Sequence, residues 1–196
     1  MTPKPLASLT LIVVAAMTLG ACASKTSPPT KPPSAVAASA PPGSTGSTDT
    51  VHLTDYAANT DGPTSTVILT GAIGDYGTGT TVHADGSVDP DHANELKLAL
   101  ARGTFRINIA ALHTAFAGAF THQFPTNTET CSGSVTVSAT APIVAGSGTG
   151  PYAHVRGSFN LTLTVDEVDQ KPTCDGTAAF LAQTILITGS GTVSFT

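Results

Sequence analysis

The chain has 196 residues, with only 11% charged, 5% aromatic, no Trp and a formal net charge of minus five. After position 50 its basic residues are Lys97, Arg102, Arg106, Arg156 and Lys171 alone, too few to neutralise a run of phosphates, which excludes a nucleic-acid-binding face. With Ser, Thr, Gly and Ala in excess, the composition favours many short strands joined by tight turns.

Residues 1 to 21 carry one basic residue, Lys4, and then an apolar run from Leu6 to Leu19. This is signal-peptide length, shorter than the roughly 20 apolar residues of a membrane-spanning helix, with an uncleaved anchor as the alternative. The run closes on Leu19-Gly20-Ala21-Cys22, which resembles the lipobox of bacterial lipoproteins. The resemblance implies cleavage before Cys22, acylation of its thiol, and a partner in the membrane through those acyl chains. The expected location is the extracytoplasmic face of the cell membrane. Residues 22 to 49, rich in Pro, Ser and Thr, cannot build an apolar face and read as a disordered, semi-stiff tether.

From about Thr50 to residue 196 the pattern is that of one all-β domain. Val51 and Leu53, then Val67 and Leu69, alternate with polar residues as in strands with one buried face. Residues 71 to 79 read as a turn around Asp75-Tyr76-Gly77, and Asp85-Gly86 marks a hairpin-type turn. Leu96, Leu98 and Leu100 are ambiguous between helix and strand; the break at Arg102-Gly103 and the alternation of Phe105, Ile107 and Ile109 favour a strand hairpin. Residues 110 to 120 hold a helical turn or a bulge.

Ser134 to Ala139 reads as a strand and 142 to 150 as a Gly-rich connection. Phe159, Leu161, Leu163 and Val165 form the clearest strand, followed by an acidic loop, Asp166-Glu167-Val168-Asp169. Segments 177–181, 183–188 and 192–195 close the chain. Eight or so short strands predict a single closed antiparallel β-barrel, with a sandwich as the alternative, since closure hides strand edges.

With Cys22 consumed by lipidation, Cys131 and Cys174 remain as a disulfide pair suited to an oxidising compartment, two unpaired buried thiols being the alternative. No metal site is expected. His52, His83, His92, His113, His122 and His154 lack close ligand spacing, and the group Asp89, Asp91, His92 with His113 and His122 reads more simply as solvated loops. Asp166, Glu167 and Asp169 offer carboxylates for Ca²⁺ but read as a solvated hairpin tip. No nucleophile elbow and no phosphate loop is present, and no cofactor is implied.

Gly148-Thr149-Gly150-Pro151-Tyr152-Ala153-His154-Val155-Arg156-Gly157 resembles a segment of dirigent proteins, whose broader relatives are the allene oxide cyclases. The chain is also similar to secreted actinobacterial proteins with that barrel, through Gly103-Thr104-Phe105 and the two late cysteines. The resemblance implies a barrel pocket lined by Arg156, the one candidate for catalysis, with Tyr152 and Phe105 as further ligand-contacting residues. Pro151 stands where those proteins often carry an acidic residue. The bland alternative for Arg156 is a rim arginine paired with a loop carboxylate. The expected function is therefore a tethered barrel that binds a small hydrophobic ligand or serves as an envelope interaction module. A cyclase- or dirigent-type enzyme acting on a hydrophobic or phenolic substrate is the alternative, and a barrel with a completely filled interior is a third.

Overall fold

The computed structural model describes residues 49–58, 63–172, 174 and 180–195. The expected signal peptide (1–21), the acylated Cys22 and all but the last residue of the expected tether lie outside the described residues. No helix among the described residues is long and apolar enough to cross a membrane.

The described residues form eight strands, β1 (Asp49–Ala58), β2 (Thr64–Gly71), β3 (Asp75–Val82), β4 (Glu95–Leu100), β5 (Gly103–Asn108), β6 (Ser132–Pro142), β7 (Val155–Asp169) and β8 (Phe180–Phe195). They form one antiparallel sheet in the order β5-β4-β3-β2-β1-β8-β7-β6. Helix α1 (Ala110–Gln123) joins β5 to β6, and a short 3₁₀ turn (Gly150–Tyr152) precedes β7.

Strand formation follows the period-two pattern. Along β7, Val155, Phe159, Leu161, Leu163 and Val165 are buried on the concave face. On the convex face, hydroxyls link neighbours across strands: Thr136 with Thr164 (3.0 Å), Ser138 with Thr162 (2.8 Å), and Thr140 donating to Asn160 (3.0 Å). The leucines of β4 are inward, with Leu98 opposite Phe105 of β5, so the ambiguous segment is the expected hairpin arm.

The expected closed barrel is instead an open half-barrel. The two outermost strands, β5 and β6, do not form a ladder; a lone bridge, Ile107 with Ile143, connects the β5 edge to the residue after β6. The segment leaving β6 runs along β5 and occupies its edge groups. Val144 donates to the Arg106 carbonyl (2.8 Å), Thr149 donates to the Thr104 carbonyl (2.8 Å), and the Ser147 and Thr149 hydroxyls accept from the N–H groups of Arg106 and Thr104 (2.9 Å each). A loop bonded through side chains thus does the work of the missing ladder at that edge.

Other expectations are corrected in detail. Residues 110 to 120 belong to a complete helix of 14 residues, not a turn or bulge. Asp75-Tyr76-Gly77 begins β3, which shortens the expected turn. The acidic residues 166 to 169 continue β7 with unbroken alternation, so Glu167 and Asp169 are buried while Asp166 is exposed. Residues 180 to 195 form one strand of 16 residues where separate closing segments were expected; residues 175 to 179 lie outside the described set. Gly157 in the expected motif has φ +139, where a Cβ would collide with the Thr192 carbonyl.

The Cys131–Cys174 disulfide is formed, with Cα atoms 4.9 Å apart. It ties the residue before β6 to the connection between β7 and β8.

Candidate functional site

The concave face has two ends of different character. At one end meet the start of β1, the end of β2 and the start of β3, together with the 3₁₀ turn. This end is filled. Phe105 and Phe159 are fully buried, and Tyr152 meets Phe105 edge to face at 5.5 Å.

A polar network seals the same end. The Tyr152 hydroxyl donates to Asp75 Oδ2 at 2.5 Å, Arg102 Nε lies 3.3 Å from the same oxygen, and the guanidinium also donates to the carbonyls of Ile73 and Gly74. Burial pushes the Asp75 carboxyl up, but the Tyr152 hydroxyl, the N–H groups of Tyr76 and Arg102 and the Arg102 side chain outweigh it and hold the group below its usual range. Burial and the adjacent carboxylate together raise the Tyr152 phenol. Every partner is accounted for.

The opposite end is hollow. Two cavities, of about 110 Å³ and about 500 Å³, share Thr81, Pro90, Ile185 and Ile187 as common wall. The larger lies under α1, which contributes Leu112, His113, Phe116 and Phe120; a row of rings, Phe116 tilted against Phe120 (5.3 Å) and Phe120 stacked on Phe124 (4.7 Å), runs along that helix and just past its end. The smaller is lined by Asp55 and Ser65.

Asp55 follows Val51 and Leu53 on the inward parity of β1 and is 3% exposed. Its register partners are Val67 and Ile187, so apolar side chains flank it on both sides. Burial raises its carboxyl to about 6, against a single opposing hydrogen bond from Ser65. Oδ1 has no hydrogen-bond partner among the described residues. Gly79 makes room for the pair: a Cβ there would collide with Ser65 Oγ and lie 3.1 Å from Asp55 Oδ2.

Two further polar groups face this end. Burial lowers the His113 imidazole despite a hydrogen bond with the Ala93 backbone. Glu167 is raised by burial and by Asp169, opposed by Gln183, whose amide donates to Glu167 Oε2 at 2.5 Å; Gln183 itself lines the large cavity.

The residues expected from the sequence are not gathered here. Phe105 and Tyr152 are packed in the filled end. Arg156 is exposed on the convex face and lines neither cavity. Of the histidines, His113 is half-buried on α1 instead of lying in a solvated loop. Asp89, Asp91 and His92 do come within ligand distance of one another, their donor atoms lying within 4.8 Å. Asp89 is already engaged by the N–H groups of Asp91 and His92 and by the rings of His83 and His92, bonds that outweigh desolvation and hold it at about 2. Asp166 faces away from Glu167 and Asp169, so these carboxylates do not converge.

Nothing in the sequence motifs singles out Asp55, Ser65 or Gln183, and His113 is expected in a solvated loop where the structure puts it on the cavity wall. The available signal was parity: an acidic residue two positions beyond Leu53, on the buried face of a strand, needs a partner or a purpose.

These features define a β half-barrel with a carboxylate-bearing hollow at one end. No family model, curated protein or solved structure matches the chain, and the dirigent-like resemblance rests on residues 103–105 and 148–157.

Proposed function

We propose that the chain is a lipoprotein, anchored through Cys22 on the extracytoplasmic face of the membrane, whose β domain binds a small hydrophobic ligand in the hollow end of the half-barrel. The observation that carries this reading is the cavity of about 500 Å³ with a mainly apolar wall and Asp55 beside it. That volume and lining suit a ligand of a few tens of heavy atoms or fewer. The disulfide supports an oxidising compartment. The interior is not completely filled, which weighs against a purely structural barrel.

An apolar reporter dye such as N-phenyl-1-naphthylamine tests this. Its fluorescence should rise on titration with the full chain. Ile185→Trp, which adds bulk to the wall shared by both cavities, should weaken binding about tenfold. A dye that does not bind, or binds equally to the filled variant, overturns the reading.

A second reading, the cyclase- or dirigent-type enzyme, is favoured by one observation, the elevated carboxyl of Asp55 in an apolar setting. Proton transfer would then run through Asp55, with Arg156 a bystander on the outer face. Turnover that survives Asp55→Asn removes that reading.

A further inference from the structure

We propose that the hollow end selects a ligand with an apolar tail and a protonated amine head, the amine bonding to Asp55 and the tail lying under α1. This rests on the ligand-binding reading above and names the chemistry of the head group.

The charge around the hollow has one sign. Asp55 lines the smaller cavity, Asp91 the larger, and Glu167 is held by Gln183 of the larger cavity's wall. None of Lys97, Arg102, Arg106, Arg156 or Lys171 lines either cavity. Arg102 is committed to Asp75 at the far end, and Arg106 pairs with Glu95 at 2.7 Å. His113, the remaining basic group on the wall, is pushed toward its neutral form by burial.

A carboxylate head entering this hollow would meet repulsion and, among the described residues, no cationic partner on the wall. A neutral hydroxyl could donate one hydrogen bond. An ammonium group offers several donors and a compensating charge to a carboxylate that is buried with Oδ1 unpartnered among the described residues. Leaving such an oxygen without a donor costs free energy that a cationic ligand recovers on binding. Ser65 holds the other side of the group, so the free oxygen stays oriented. The hydrocarbon tail has its place among Leu112, Phe116, Val165 and Ile185.

The experiment is displacement of the bound dye from the full chain at pH 8 by octylamine, octanol and octanoate. At that pH Asp55, with its carboxyl raised only to about 6, is ionised. Octylamine should displace the dye at least tenfold more tightly than octanol, and octanoate should be weakest. In Asp55→Asn the preference for the amine should fall to within about threefold of octanol. The wild-type series stands even where the variant fails to fold. If octanoate or octanol matches octylamine, or the Asn variant keeps the amine preference, the inference falls while the cavity reading survives. If the dye never binds, both fall together.

Discussion

The half-barrel carries a buried aspartate at each end, and the two are held in opposite ways. Asp75 accepts from a phenol, a guanidinium and two backbone N–H groups, and its carboxyl is lowered. Asp55 has Ser65, apolar neighbours and an elevated carboxyl. Burial is common to both; the partners differ. A buried acid whose partners come from its own fold is a structural brace, whereas one with an oxygen left over keeps a hydrogen-bonding capacity that the fold does not use.

The largest expected effect comes from opening the filled end. Phe159→Ala should cost roughly 3–5 kcal/mol in urea denaturation, because Phe159 is fully buried with no hollow beside it to relax into. A loss under 1 kcal/mol would mean that this end is not the better packed one.

Replacing both Cys131 and Cys174 by Ser should lower stability by roughly 2–4 kcal/mol, the range for releasing a link between residues 43 apart, checked by the same denaturation. Tyr152→Phe should cost about 1.5–3 kcal/mol, since it strips a donor from an ionised buried carboxylate. It should leave dye binding at the hollow end unchanged.

Asp55→Asn should act in the opposite direction. The folded carboxyl titrates near 6 and the unfolded one near 3.8, so the folded state holds the proton more tightly. Its contribution is fully present below about pH 4 and is lost as the pH rises through about 6. The variant should therefore gain on the wild type across that window, by about 3 kcal/mol at pH 7, with the difference level above it. A difference that stays flat from pH 4 to 7 would show that Asp55 has found a partner. The smallest effect belongs to Arg156→Ala, expected to change stability by less than about 0.5 kcal/mol and dye affinity not at all, as befits an exposed side chain.

Much of the sheet was legible in the sequence because period-two alternation is a local signal. Phe159 to Val165, Val51 with Leu53, and the Leu98–Phe105 hairpin all follow from it. The helix was harder, since Ala110–Gln123 offers an Ala-rich stretch with only Leu112 fully buried and no acidic residue in its first turn. Closure was not legible at all, because whether β5 meets β6 depends on how the intervening helix sits and not on either strand's pattern. Charge in a sequence does not by itself mark a solvated loop. Asp166 to Asp169 keeps its strand, and the inward carboxylates Glu167 and Asp169, like Asp55, betray themselves by position and not by type. The motif at 148 to 157 drew attention to Arg156, but there the glycines shape the backbone and Tyr152 supplies the contact that matters to the filled end.

The clasp between residues 143 to 149 and β5 has a mechanical consequence. Two hydroxyls and a few main-chain bonds fasten the sheet's free margin, while each internal seam is held by a continuous ladder. Under thermal agitation the fastening releases before any ladder does, and amide protons of Thr104 and Arg106 should exchange with deuterium ahead of those in β1 and β8. Parting there frees the edge of β5 without unfolding the sheet, so the weakest join in the wall is also the first to open.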